Sequence, residues 1–313
     1  MWLLRITQPL RSFSHATTRA PRLLSLLGRV SAIVLTCAML LSAGFAAAQP
    51  ASAHGAHDAG RDKDYLALGD SIAFGYSPLL NRNQASNFIG YPTPVAHALD
   101  LKLTNAACPG VATGYFISLS GVDWDCIPYR SQFPLHVSYT TSQLDYAVSF
   151  LRSHPRTRLV TIDIGVNNLF RLQSLCGGAP SCILSGLPGT LATISTDLDT
   201  IYGAIRHRAH YHGQLVALTY YSTNYQDAFT TGAVEELDKV ITARTLAWGG
   251  AVADGFGAFK AASSAFNGNP CTAGLLIRVS ATACDVHPSV TGRNLLAVAI
   301  LAVLRRQWHA AAA

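Results

Sequence analysis

A serine, a histidine, a glycine and two asparagines stand where short apolar runs give way to turns. Gly69-Asp70-Ser71 closes the first such run, Asp64–Gly69 (DYLALG). A serine hydroxyl attacks a carbonyl carbon only when a neighbouring base takes its proton, and histidine is the usual base. Gly69 lets the chain turn sharply there, so Ser71 can present its hydroxyl at a helix start; a plain helix cap is the competing reading. His287-Pro288 precedes an apolar stretch at helical spacing, roughly Val290–Trp308, and that proline and helix would fix the backbone of His287. The denser cluster His207, His210 and His212 (HRAHYH) ends an amphipathic stretch and reads as its solvated end.

Attack on a carbonyl creates an oxyanion, which needs fixed hydrogen-bond donors. Gly165-Val166-Asn167-Asn168 ends another apolar run and offers an amide beside backbone N–H groups, although Gly and Asn also favour plain strand-ending turns. Asn105 to Gly110 (NAACPG) closes a further run, and Gly110 permits close backbone approach, so that its N–H can be a second donor.

The elements that position these residues are legible in the hydropathy pattern. Asp64–Gly69, Leu101–Ala107, Leu159–Gly165, Leu215–Tyr221 and Ala251–Phe256 are predicted strands. Most are unbroken apolar runs, as in strands covered on both faces. Helices are predicted over roughly Thr93–Leu99, Thr141–Ser153, Thr190–His210, Val234–Trp248 and Val290–Trp308. Such alternation predicts a three-layer α/β/α sandwich around a parallel sheet, where ligands bind beyond the carboxyl ends of the strands. The segments Cys108–Thr140 and Phe170–Pro188 read as long loops that are functional or stapled, since they hold four cysteines.

The N-terminus reads as an address. Residues 1–29 carry five arginines and no acid, Val30–Ala48 is apolar, and Ala51-Ser52-Ala53 is an A-x-A site. This is the order of a secretory signal peptide, with cleavage expected after Ala53 and Ala48 as second choice; an uncleaved membrane anchor is the rival. Residues 54–63 read as a flexible polar tail and 64–313 as one large domain. Five of the 23 lysines and arginines fall in 1–53, leaving 18 against 17 acids. The basicity therefore belongs to the export segment and gives no reason to expect a nucleic-acid partner. Without Cys37 six cysteines remain, and an even number in an exported chain argues for disulfides. Spacing suggests that neighbours pair, Cys108–Cys126, Cys176–Cys182 and Cys271–Cys284. Zinc is the competing reading, but no C-x-x-C and no histidine at ligand spacing accompanies them.

Taken together, the blocks LGDSIAFG around Ser71, NAACPGVAT around Gly110, DIGVNNL around Asn167 and DVHPSVTG around His287 resemble the SGNH hydrolases, also called the GDSL esterases and lipases. The likeness spans residues 64–309 and is greatest to secreted bacterial members with three sequential disulfides. It implies a five-stranded, flavodoxin-like parallel sheet and no metal or organic cofactor. Ser71 is then the nucleophile, His287 the general base, and Ser71 N–H, Gly110 N–H and the Asn167 side chain the oxyanion hole. Two positions depart from the pattern. Asn168 stands where an aspartate is usual, which touches local support only. The triad aspartate usually lies three residues before the histidine, where this chain has Cys284; Asp285 is two before. Either Asp285 reaches His287 or the Cys284 backbone carbonyl orients it, and the spacing in extended chain leans towards the carbonyl.

The resemblance implies an ester substrate. Phe74, Tyr76, Phe88, Ile89 and the segment Val111–Asp125 could line an acyl pocket, which favours lipid esters and transient contact with a lipid surface. The alternatives are a carbohydrate acetylesterase and, in a different class, a non-catalytic carbohydrate- or lipid-binding protein on the same scaffold.

Overall fold

The computed structural model describes residues 63–312. The export segment 1–53 and positions 54–62 of the expected tail lie outside the described residues. The first half of the chain runs β1 (Asp64–Gly69), α1 (Ser71–Phe74), α2 (Pro92–Leu99), β2 (Lys102–Asn105), α3 (Thr113–Ile117), α4 (Cys126–Gln132), α5 (Gln143–Ser153) and β3 (Leu159–Asp163). It continues through α6 (Val166–Leu175), α7 (Pro180–Gly203), β4 (Gln214–Leu218), α8 (Ala228–Ala247), β5 (Ala251–Ala253) and α9 (Gly255–Ser263). The hairpin β6 (Leu276–Arg278) and β7 (Cys284–Pro288) leads into α10 (Val290–Ala312).

The five strands β1 to β5 form one parallel sheet in the order β2-β1-β3-β4-β5. Every residue of β1 and β3 is buried, because helices cover both faces. α10 packs with α2 and α9, while α7 packs with α3, α6 and α8. This is the expected flavodoxin-like sandwich. The chain leaves β1 for β2 on one side and returns to β3 on the other, so the strand order reverses between β1 and β3. Ligands of open parallel sheets bind at that reversal, beyond the carboxyl ends of the strands. Ser71 follows β1 and Asn167 follows β3.

The structure corrects the reading of the loops. Residues 170–188 are largely helical: α6 reaches Leu175, and Cys176–Cys182 joins its end to the first turn of α7. The 108–140 segment contains α3 and α4, with Cys108–Cys126 tying the start of α4 to the end of β2. β5 stops at Ala253 because the Asp254 carboxylate accepts the Gly257 N–H and caps α9. All six cysteines of the domain pair as neighbours, Cys271–Cys284 being the third bridge, which removes the zinc reading. No helix among the described residues is long and apolar enough to cross a membrane.

Candidate active site

Capping of α1 falls to Asp70, not to Ser71. The Asp70 Oδ1 accepts the Ile72 N–H at 2.9 Å, which leaves Ser71 as the first helical residue with its hydroxyl uncommitted to the backbone. Gly69 supplies the turn at φ 129°, and Gln143 holds it from both sides. The Gln143 Oε1 accepts the Gly69 N–H at 2.6 Å, and its Nε2 donates to the Gly69 carbonyl at 3.1 Å. The Ser71 Oγ lies 2.8 Å from Nε2 of His287.

His287 sits in β7, which leads directly into the last helix. Three constraints aim its ring. The Cys271–Cys284 bridge closes the hairpin, the Tyr221 hydroxyl donates to the Val286 carbonyl at 2.7 Å, and the Tyr76 ring centroid lies 4.8 Å from that of His287. Of the two ways to orient the imidazole, the geometry takes the carboxylate: Asp285 Oδ1 contacts Nδ1 of His287 and also accepts the His287 backbone N–H at 3.0 Å. The lean towards the Cys284 carbonyl is therefore corrected. Its reasoning treated the offset of two as a straight strand, whereas the Asp285 side chain folds forward onto the N–H two residues on, a local turn favoured by aspartate. Burial pushes the Asp285 carboxyl up, but its hydrogen bonds with His287 and the charge of that ring outweigh this and hold it below the ordinary range. An acceptor on Nδ1 keeps the proton there and leaves the Nε2 lone pair facing Ser71, the tautomer needed to take a hydroxyl proton. Opening the bridge with the double variant Cys271→Ser/Cys284→Ser is expected to cut kcat on a soluble ester by about 10- to 100-fold, since small misplacements of a reacting group have effects of that order. Stopped assays of the purified variant beside the oxidised parent check this.

Gly110 and Asn167 are the expected oxyanion donors. Gly110 adopts φ 79°, and a Cβ at this position would fall 2.5 Å from that of Asp125. Among the described residues no backbone carbonyl takes the N–H of Ser71 or of Gly110. Asn167 is buried at the start of α6, where its Nδ2 donates to the Val111 carbonyl at 3.0 Å and to Asp70 Oδ2 at 3.3 Å. Asn168 shows why an amide serves in place of the usual carboxylate. Its Oδ1 accepts the Thr113 N–H at 3.1 Å while its Nδ2 donates to the Thr113 hydroxyl at 2.9 Å, and a carboxylate could not do the second. Thus Ser71, His287 and Asp285 meet beyond the carboxyl end of β1, and Asn167 is tied to the adjoining Asp70 and to Val111, next to Gly110 in the chain. His207, His210 and His212 are exposed at the end of a π-helical turn and take no part.

The acyl-pocket residues divide. Phe74 and Phe88 are fully buried and form a core cluster behind Tyr76, whereas Ile89, Leu119, Val122 and Trp124 are exposed. Asp125, whose N–H donates to the Gly110 carbonyl, brings the apolar stretch beside the oxyanion side of the cleft.

Several residues that frame the site carry no motif. Tyr220, just beyond β4, donates its hydroxyl to Asp70 Oδ2 at 2.6 Å, and its own N–H donates to Asp238 Oδ1 at 2.8 Å. The second carboxyl oxygen of Asp238 is buried without a partner. Burial, helped by the charges of Asp254 and Glu235, overcomes that hydrogen bond and pushes Asp238 up to about 8. The protein therefore takes up a proton on folding between an ordinary 3.8 and about 8, so this group's stabilisation is complete below the lower value and is lost as pH rises through the upper. Asp238→Asn is expected to match the parent at pH 4 and to be more stable at pH 9 by roughly 2–5 kcal/mol, read from urea midpoints at the two values.

The fold is the five-stranded parallel α/β/α sandwich of the SGNH hydrolases, with a hydroxyl, an imidazole and a carboxylate in line at its carboxyl edge. Residues 67–295 match the model of the GDSL-like lipase/acylhydrolase family, and the chain belongs to that family. Ester hydrolysis is the chemistry this membership supports. The fold is shared with phospholipase A1 from Streptomyces albidoflavus NA297, at a TM-score of 0.54 and 20% identity over 77% of this chain and 99% of that one. It is also shared with the extracellular lipase from Streptomyces rimosus, at 0.53 and 22% over 77% and 99%. No curated protein sequence matches the chain.

Proposed function

We propose that the protein is a secreted serine esterase that cleaves carboxylic esters of apolar acyl groups through an acyl-enzyme on Ser71. The observation that carries this is the unbroken polar line from Asp285 through His287 to the Ser71 hydroxyl, ending beside two N–H groups with no backbone acceptor. His287 takes the hydroxyl proton through Nε2 as Ser71 Oγ attacks the ester carbon. The oxyanion that forms is held by Ser71 N–H, Gly110 N–H and Asn167 Nδ2. His287 returns the proton to the leaving alcohol, then takes one from water, which hydrolyses the acyl-serine and regenerates the free hydroxyl. The exposed apolar side chains Leu119, Val122 and Trp124 near the oxyanion side favour a lipid acyl chain over a bare acetyl group. Three disulfides favour an oxidising compartment and hence export.

Labelling of the oxidised protein by a fluorophosphonate probe tests the nucleophile. A single adduct on Ser71 is expected, and an unlabelled, folded protein would return the chain to the non-catalytic reading. Rates across p-nitrophenyl esters of increasing chain length, beside acetylated xylan, test the substrate. A preference for acetyl groups on the polysaccharide would replace the lipid assignment with a carbohydrate esterase.

A further inference from the structure

The turn from Gly110 to Thr113 is tied at each of its four residues, and the last tie ends on an acid that no motif contains. The Gly110 carbonyl accepts the Asp125 N–H at 3.1 Å, the Val111 carbonyl accepts Asn167 Nδ2 at 3.0 Å, and the Ala112 N–H donates to Asp123 Oδ1 at 3.4 Å. Thr113 opens α3 and is fully buried. Its N–H donates to Asn168 Oδ1 at 3.1 Å, and its hydroxyl oxygen accepts Asn168 Nδ2 at 2.9 Å. The same hydroxyl donates to Asp197 Oδ2 at 2.5 Å. Asp197 belongs to α7, which packs against both α3 and α6.

Chemistry fixes the direction of these bonds. A backbone N–H only donates, so the end of the Asn168 amide that meets it is the oxygen. The nitrogen end then donates into the Thr113 hydroxyl, whose single hydrogen is left for Asp197. Among the described residues Asp197 has no other hydrogen bond and no cationic partner. Burial raises its carboxyl, against the bond from Thr113. A half-buried carboxylate without a counter-charge costs stability, and an apolar residue of α7 would cover α3 without that cost. What the acid supplies is a strong acceptor for the one hydroxyl that joins the Gly110 turn to the first turn of α6.

We propose that Asp197 is a positioning residue for the oxyanion hole: through the Thr113 hydroxyl and Asn168 it sets where the Gly110 N–H stands relative to Ser71. The inference rests on the reading of the Gly110 N–H as an oxyanion donor, a group that no backbone carbonyl takes among the described residues. Asp197 acts through Thr113 and not on the ester itself. From the α4 side the turn is held by the Cys108–Cys126 bridge and by Asp125. From α6 and α7 it is held by Asn168 and Asp197. Releasing Thr113 therefore loosens one side only, and the N–H shifts while the turn survives.

A charge exchange, followed by kinetics on a soluble ester and by amide NMR of the full, oxidised chain, tests this. Asp197→Ala should lower kcat about tenfold with KM held within about twofold, as expected when an oxyanion donor loses its aim. Asp197→Asn, whose carbonyl can still accept from Thr113, should recover most of that loss. Asn168→Asp should also cost about tenfold, because two carboxylates then compete for one hydroxyl hydrogen. The double variant Asn168→Asp/Asp197→Asn gives Thr113 one acceptor and one donor again, with the two exchanged. Its kcat should return to within about threefold of the parent. Losses that multiply in the double variant overturn the proposal, as does an Asp197→Ala variant with parental kcat or with a raised KM alone. The Gly110 amide resonance should shift in Asp197→Ala and return in the double variant, and a resonance that stays in place also overturns the proposal. If the parent turns over no ester, the enzyme reading falls, whereas the amide shift still decides whether Asp197 sets the turn.

Discussion

Ser71→Ala should lower kcat on a soluble ester by about 10⁵- to 10⁶-fold while leaving the melting temperature where it was. The two halves of that expectation come from different parts of the local structure. Ser71 Oγ meets His287 and no backbone group, so removing it abolishes the attacking atom. The cap of α1 is Asp70, so the helix start survives the substitution. The variant should also keep KM, because the groups that bind the ester are untouched. A residual rate is expected from the oxyanion donors alone, about 10³-fold above the uncatalysed reaction. The measurement is a paired one, kcat and thermal unfolding on the same preparation. A variant that loses activity together with folding would mean Ser71 is structural, and one that keeps a tenth of the rate would mean another nucleophile.

Much of this site could be read from the chain because its chemistry sits at strand ends. An apolar run followed by Gly-Asp-Ser or Gly-Val-Asn-Asn marks both the strand and the residue it delivers, and the parallel sheet aligns those ends. Where burial and periodicity part company, the reading fails. α6 fully buries only Asn167, its apolar residues stay at least partly exposed, and the segment from Phe170 reads as a loop because it runs into the Cys176-Gly177-Gly178 turn. α9 holds two glycines, and β6 and β7 are short, partly exposed strands stapled by a disulfide rather than by a hydrophobic face. Asp163 was visible as an acid inside LVTIDIG, yet sequence alone gives no means to see that Gly69 makes room for it or that Asp70 lies against it. Tyr220 and Tyr221 looked like strand residues; their hydroxyls reach elements 150 and 65 residues away, contacts that only the closed fold creates.

The carboxylate that aims His287 yields the second large effect. Asp285→Asn is expected to reduce kcat by about 10³-fold. The His287 backbone N–H points at Asp285 Oδ1 and would favour an asparagine carbonyl in the same place, so the productive tautomer can persist. What disappears is the negative charge that stabilises the imidazolium once it has taken the serine proton. Asp285→Ala should cost at least as much, because Nδ1 then has neither charge nor carboxyl acceptor. The stability side has the opposite size. Asp285 is held below its ordinary value, so its contribution is present above the unfolded value near 3.8 and is lost as pH falls through the folded one. With its side chain 26% exposed, that contribution is screened to about 1 kcal/mol or less. At pH 7 the variants should therefore melt within a few degrees of the parent while losing nearly all turnover. If both keep near-normal kcat, the carboxylate is dispensable, and the Cys284 carbonyl, held by the Cys271 bridge, becomes the group that orients the base.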